Sequence, residues 1–259
     1  MSVALKISGL KKNYGKFTAL QGLDLEVQKG EVFGFLGPNG AGKTTTIKTC
    51  AGLLQPSGGT VAICGYDLLR DSARAKAHLG YVPDDPFLYD KLSGREFALF
   101  AARLYGEQGE NLPGRVEDYF KLFEMGEDMD KLISEYSRGM RQKTAIIAAL
   151  LHRPDLLMVD EPTANLDPRS ARLVKDIFQN WKEQNRTVFM STHVMEIAES
   201  LCDRIGIIHQ GQLLAVDTVD KLRGTAGASL EEVFLELTGG REEQVQEIIN
   251  GLLEEEKQQ

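Results

Sequence analysis

The chain has 259 residues, enough for one large core or two modest ones, and its 42% hydrophobic and 26% charged residues are the balance of an ordinary globular protein. Lys+Arg number 30 against 38 Asp+Glu, a net charge of −8, which argues against nucleic acid as the main partner. No window approaches a membrane-spanning run, with Ala145–Leu151 the closest, so any span has to come from another polypeptide.

In chain order, Met1-Ser2-Val3-Ala4-Leu5-Lys6 lacks the basic-then-apolar pattern of a secretion signal. Val3–Ser8 and Gly22–Val27 suggest an antiparallel flap. Glu31–Leu36 reads as a short buried strand, and Thr44–Leu54 as the opening of a helix. Apolar runs suited to buried strands recur at Thr60–Cys64, Leu79–Val82, Leu156–Val159, Thr187–Met190 and Arg204–Ile208, with helical patterns at Ser170–Lys182 and Val194–Leu201. Strands alternating with helices indicate an α/β fold on a largely parallel sheet. From about Leu92 to Leu151 the pattern turns helical, as in Phe97, Phe100, Ala101 and Leu104, then Val116, Tyr119, Phe120 and Phe123. The expected organisation is a core of 1–88 and 152–225, split by a helical insertion at 89–151, with a C-terminal helical extension at 226–259. In that extension Val245, Ile248, Ile249, Leu252 and Leu253 share one helical face, which reads as a helix docked on its own domain. Cys50, Cys64 and Cys202 are odd in number and without a C-x-x-C pair; they read as small buried hydrophobes of a reducing compartment, not as a metal site or disulfide framework.

Chemistry concentrates in Gly37-Pro-Asn-Gly-Ala-Gly-Lys-Thr-Thr45, which fits G-x-x-x-x-G-K-[ST] between a strand and a helix. Glycines at 37, 40 and 42 let the loop curl its N–H groups toward phosphate oxygens, and the following helix adds the positive end of its dipole. Gly37, Asn39, Gly40, Ala41, Gly42, Lys43, Thr44 and Thr45 therefore form the expected phosphate-binding set. Lys43 would reach the β- and γ-phosphates, and the Thr44 hydroxyl would ligate Mg²⁺. Leu156-Leu-Met-Val-Asp160 delivers a carboxylate at the C-terminal end of a strand, suited to Mg²⁺, and Glu161 directly after it can polarise an attacking water.

On these motifs the chain resembles the nucleotide-binding subunit of ABC transporters, over roughly residues 3 to 225. Ser137-Arg-Gly-Met-Arg-Gln142 looks like the signature motif, commonly Leu-Ser-Gly-Gly-Gln; Tyr136, Arg138 and Met140 depart from it, while Ser137 and Gly139 keep it. The resemblance implies a P-loop NTPase core with a largely parallel sheet, an N-terminal antiparallel β subdomain and an inserted α-helical subdomain. It implies ATP and Mg²⁺, with Ser137, Gly139 and Met140 acting on ATP held by a second subunit in a head-to-tail dimer, with itself or a paralogue. Ala164-Asn-Leu-Asp167 is similar to the loop that crosses that interface. His193 is similar to the histidine that bonds the γ-phosphate, and Tyr14 to the aromatic that stacks on adenine, with Phe17 a nearby competitor. The family usually places a glutamine after a strand such as Gly80-Tyr-Val-Pro83; this chain has Asp84, shorter and anionic, expected to serve as a Mg²⁺-sensing link between core and insertion.

The resemblance also implies a transmembrane permease as partner, received near Asp84–Lys91, and a place on the cytoplasmic face of the membrane. Tyr136-Ser-Arg-Gly-Met140 and Ser229-Leu-Glu-Glu-Val-Phe234 look most like the bacterial exporter branch with a separate permease. Two other classes stand beside it: a soluble ABC ATPase acting on ribosomes, DNA or protein complexes, and a non-catalytic ATP-binding regulator. One motif set, no heptad run and a net acidic balance weigh against the first. The presence of Lys43, Asp160, Glu161 and His193 weighs against the second.

Overall fold

The computed structural model describes residues 2–224 and 229–239. The expected amphipathic tail helix around Val245–Leu253 lies outside the described residues.

The chain opens with strands β1 (Val3–Tyr14) and β2 (Phe17–Gln28), then β3 (Val32–Leu36) and helix α1 (Lys43–Cys50). Next come β4 (Gly58–Ile63), β5 (Tyr66–Asp67), α2 (Ser72–Ala77) and β6 (Leu79–Val82). A run of helices follows: α3 (Gly94–Leu104), α4 (Leu112–Leu122) and α5 (Arg138–Leu151), with one 3₁₀ turn at Ile133–Glu135. The chain then alternates through β7 (Leu156–Asp160), α6 (Pro168–Glu183), β8 (Thr187–Thr192), α7 (Met195–Leu201), β9 (Arg204–His209), β10 (Gln212–Thr218), α8 (Val219–Arg223) and α9 (Leu230–Thr238).

Two sheets result. One is antiparallel, in the order β2-β1-β4-β5; the other runs β10-β9-β3-β8-β7-β6, parallel except for β10 at its edge. The parallel strands are buried on both faces, which is why they read as unbroken apolar runs. Successive side chains still divide between two cores. Val32, Leu36, Val159, Val188 and Met190 join the core shared with α3–α7, whereas Phe33, Phe35, Met158 and Phe189 join the core beneath the antiparallel sheet. There Phe189 stacks on Phe33 at 5.6 Å and tilts against Phe35 at 5.4 Å, an arrangement that adds about 0.5–1.5 kcal/mol per pair to plain burial.

Several expected boundaries move, each for a local reason. The helix expected over Thr44–Leu54 stops at Cys50, because Gly52 takes a φ of 71° and breaks the helical run. The strand expected at Thr60–Cys64 runs Gly58–Ile63, since Cys64 and Gly65 both take positive φ and turn the chain into β5. The flap strands are longer than Val3–Ser8 and Gly22–Val27: β1 passes Gly9, at φ 57°, through a register shift and continues to Tyr14. Strands β5 and β10 and helices α2 and α8 were not among the expected elements. β10 pairs antiparallel to β9 across Gln210 and Gly211, both at positive φ, a hairpin that an α/β alternation does not announce.

Candidate functional site

The strand order places four loop-bearing ends side by side. β3, β8, β7 and β6 are parallel neighbours, with Leu36 paired to Thr192, Asp160 to Ser191 and Val82 to Val159. The phosphate loop, His193, Glu161 and Asp84 therefore leave one edge of one sheet, the carboxyl edge where open α/β sheets bind ligands.

The loop after β3 is fitted to its surroundings. A Cβ on Gly37 would lie 2.4 Å from the Ile208 carbonyl oxygen, so this residue must be glycine for the loop to pass β9. Gly40 and Gly42 take φ of 82° and 109°, and Gly42 caps α1 with no side chain over the helix's first N–H groups. Lys43 is 7% exposed. Its Nζ donates to the carbonyls of Gly37 at 2.6 Å and Pro38 at 3.3 Å. Burial pushes the Lys43 ammonium below its ordinary range, opposed by the charges of Glu161 and Asp160. Gly37 and Ala41 face inward and do not line the cavity, and the Ala41 amide donates to the Pro38 carbonyl at 3.1 Å.

Opposite the loop, Asp160 ends β7 almost fully buried and accepts a hydrogen bond from the Ser191 hydroxyl. Glu161 follows with φ 52°, a left-handed turn that takes it off the strand line. Its amide donates to the Ser191 carbonyl at 3.1 Å, and its carboxylate accepts from the Thr192 hydroxyl at 3.2 Å. The other carboxylate oxygen lies 2.8 Å from His193 Nδ1, with the imidazole largely in solvent. Ser191 and Thr192, between the expected strand Thr187–Met190 and His193, have no role in the sequence analysis. Two buried hydroxyls closing an apolar strand were the signal available.

These groups surround one cavity of about 530 Å³, lined by Pro38, Asn39, Gly40 and Gly42–Thr45 of the loop, by Asp84, Asp160, Glu161, Ala164 and His193, and by Tyr14, Phe17 and Ala19 at its aromatic end. Tyr14 and Phe17 flank the β1–β2 turn and both line the cavity; the Lys12 ammonium sits 5.2 Å from the Tyr14 ring centroid. The Thr44 hydroxyl and the carboxylates of Asp160 and Asp84 offer only oxygen donors, a set that suits a hard divalent cation. Burial, then the charges of Asp160, Glu161 and Asp85, hold the Asp84 carboxyl above its ordinary value, with His193 opposing.

That shift has a testable sign. A carboxyl raised in the folded state binds its proton more tightly there than when unfolded, so its stabilising contribution is present at acid pH and lost as pH rises through the raised value. Asp84→Asn is therefore expected to raise the melting temperature of the nucleotide-free protein slightly at neutral pH. The gain should shrink toward zero below the ordinary carboxylate range, as a pH series of thermal melts would record.

Ser137, Gly139 and Met140 open α5 and none of them lines this cavity. The Ser137 hydroxyl caps the helix by accepting from the Met140 amide at 3.2 Å. Gly139 packs against the 164–167 segment so closely that a Cβ would stand 2.8 Å from the Asn165 carbonyl oxygen. In that segment Asp167 caps α6; hydrogen bonds from the Ser170 hydroxyl and amide, at 2.6 and 2.9 Å, hold its carboxyl well below the usual range, with Lys143 assisting.

Known proteins share this arrangement. The family model described as "ABC transporter" matches residues 20–164. The linearmycin resistance ATP-binding protein LnrL of Bacillus subtilis is 38% identical over 237 residues, covering 90% of this chain and 74% of that protein. The bacitracin transport ATP-binding protein BcrA of Bacillus licheniformis is 35% identical, covering 86% of this chain and 72% of that protein. Among solved structures, an ATP-binding subunit of an ABC transporter superposes with a TM-score of 0.86 at 33% identity, covering 91% of this chain and 99% of that one. With its phosphate loop, Asp160-Glu161 pair and His193 at one sheet edge, the chain belongs to the ABC transporter family, as one of its ATP-binding, ATP-hydrolysing subunits.

Proposed function

We propose that this subunit hydrolyses MgATP to power export through a separate transmembrane permease, working as a head-to-tail dimer with itself or a paralogue. The observation that carries the reading is the gathering of Lys43, Thr44, Asp84, Asp160, Glu161 and His193 around one cavity. Lys43 and the loop amides hold the phosphates, and Gly37, Asn39, Gly40, Ala41, Gly42 and Thr45 give the loop its form. Tyr14 offers its ring face to the adenine. Thr44 and Asp160, with Asp84 beside them, would hold Mg²⁺, which neutralises charge on the phosphate oxygens. Glu161 takes the proton of the attacking water, and His193, oriented by Glu161, donates to the γ-phosphate. Ser137, Gly139 and Met140, which do not line their own cavity, are the surface offered to ATP on the partner. The same reading divides the chain into a core (1–88 and 152–225), a helical insertion (89–151) and a C-terminal extension (226–259).

A second surface supports association with a permease. Among the described residues no helix is long and apolar enough to cross a membrane. Beside Asp84, however, Phe87 is 93% exposed at the rim of an apolar groove of about 480 Å³, with Leu53, Phe97 and Tyr105 in its walls. Exposed aromatics around a concave apolar surface are the make-up of an interface anchor, and relatives of this chain are named as drug or antibiotic resistance proteins. The assignment places the subunit on the cytoplasmic face of the membrane. Phe87→Ser should leave basal ATP hydrolysis within about twofold while removing most co-purification with a multi-span membrane protein, since an exposed aromatic that a partner buries is worth about 2 kcal/mol or more. Capture of ribosomes or nucleic acid in place of a membrane protein would favour the soluble ABC ATPase instead.

A further inference from the structure

A second cluster of chemically capable side chains lies at the other edge of the parallel sheet. Cys64, His78 and Asp155 each present a donor atom within 4.8 Å of the other two, and all three are half-buried or nearly so. Asp155 directly precedes β7, whereas Asp160 ends it. The length of that strand, roughly 15 Å, therefore separates this cluster from the nucleotide cavity.

The three residues come from three different elements, and each is held by its backbone. Cys64 sits in the β4–β5 turn at φ 49°, and its amide donates to the Ala4 carbonyl at 2.8 Å. His78 caps the end of α2, and its carbonyl accepts from the Leu156 amide at 3.0 Å, which fixes it against Asp155. The Asp155 carbonyl in turn accepts from the Thr187 amide at 2.9 Å. The imidazole stacks on Tyr66, with centroids 5.4 Å apart and planes 9° from parallel, so its plane is set as well as its position. Nδ1 of His78 meets Asp155 Oδ2 at 2.5 Å, while Oδ1 of the same carboxylate lies 3.7 Å from the Lys29 ammonium.

We propose that Cys64, His78 and Asp155 form a binding site for a borderline-soft divalent metal ion, zinc in the first instance, unrelated to the Mg²⁺ of ATP hydrolysis. One sulfur, one imidazole nitrogen and one carboxylate oxygen are the three donor types that zinc accepts together, with a water completing a tetrahedron. A soft thiolate and an imidazole select against magnesium, which prefers oxygen alone. On binding, the Cys64 thiol proton passes to water and a sulfur–metal bond replaces it, while the proton between His78 Nδ1 and Asp155 Oδ2 is given up, leaving a neutral imidazole protonated at Nε2, and the two atoms draw apart to admit the ion. Lys29 then remains as the outer partner that orients the carboxylate. The ion would staple the antiparallel sheet, through Cys64, to the parallel sheet, through Asp155.

Cobalt titration of the full-length protein, freed of metal, tests this, because a thiolate ligand gives Co²⁺ a charge-transfer band that oxygen ligands cannot. One equivalent should produce the band, zinc should erase it, and excess magnesium should leave it. Cys64→Ser should abolish the band. His78→Gln should weaken cobalt affinity by more than about tenfold, with ATP hydrolysis retained in both variants as evidence of folding. Absence of the band at one equivalent, its survival in Cys64→Ser, or unchanged affinity in His78→Gln would each overturn the site. Cys50 and Cys202, both buried, supply no alternative thiolate at the surface.

Discussion

Glu161→Gln is expected to cut ATP turnover by roughly 10²–10⁴-fold, the contribution of a positioned general base, while ATP binding persists. The substitution keeps shape and volume. The glutamine carbonyl still accepts from the Thr192 hydroxyl, now 3.2 Å from the carboxylate, and the left-handed backbone at φ 52° is no harder for glutamine than for glutamate. Only the charge and the proton-accepting capacity disappear. His193 loses its anionic partner at 2.8 Å, so its orientation weakens as well, in the same direction. With phosphates still gripped by the loop and hydrolysis blocked, the ATP-bound closed dimer accumulates, because the step that would return it to the open state no longer occurs. Single-turnover hydrolysis and size-exclusion chromatography with ATP read the two halves of the expectation. Turnover within about threefold of the unmodified protein would remove Glu161 from the reaction.

The parallel strands were legible in the sequence for a definite physical reason. Both faces of β3, β7 and β8 are buried, so Val32–Leu36, Leu156–Val159 and Thr187–Met190 are unbroken apolar runs. Polar residues at the C-terminal ends of such runs, Asp160 directly and His193 three residues on, then mark the ligand edge of the sheet. Contacts made by backbone or by distant segments left no such mark. The demand for glycine at 37 comes from the Ile208 carbonyl, far along the chain, and the hairpin to β10 depends on two residues at positive φ. Asp84 could be placed beside the glutamine position of the family, but its shared wall with Asp160 and Glu161 follows only from β6 pairing with β7. The Cys64–His78–Asp155 cluster was invisible for the same reason. Its members are scattered over three elements with no ligand spacing, and a reading of the cysteines as plain hydrophobes fits Cys50 and Cys202 better than Cys64.

Lys43→Met should separate stability from function. The lysine is buried, and burial lowers its pKa more than the charges of Glu161 and Asp160 raise it. A lysine whose folded pKa lies below its unfolded one binds its proton more weakly in the folded state, so at neutral pH the charged form works against folding. Methionine has nearly the same length and no charge to desolvate, but it leaves the Gly37 and Pro38 carbonyls without their donor and Asp160 and Glu161 without a neighbouring cation. The two effects oppose each other, so the nucleotide-free variant is expected to melt within about 5 °C of the unmodified protein. ATP tells the opposite story. At a concentration of about 100 times Kd a bound ligand adds roughly 2.7 kcal/mol of stability, or roughly 5–10 °C in a chain of this size, and the variant should show none of it. The ammonium held over the loop by the Gly37 and Pro38 carbonyls, at 2.6 and 3.3 Å, is the charge that phosphates would take over. A thermal shift series with and without MgATP decides the matter: an ATP-dependent shift retained in Lys43→Met would mean that the loop amides alone hold the nucleotide. The cavity would then have to be read as a helix-dipole site in which Lys43 serves only to brace the loop.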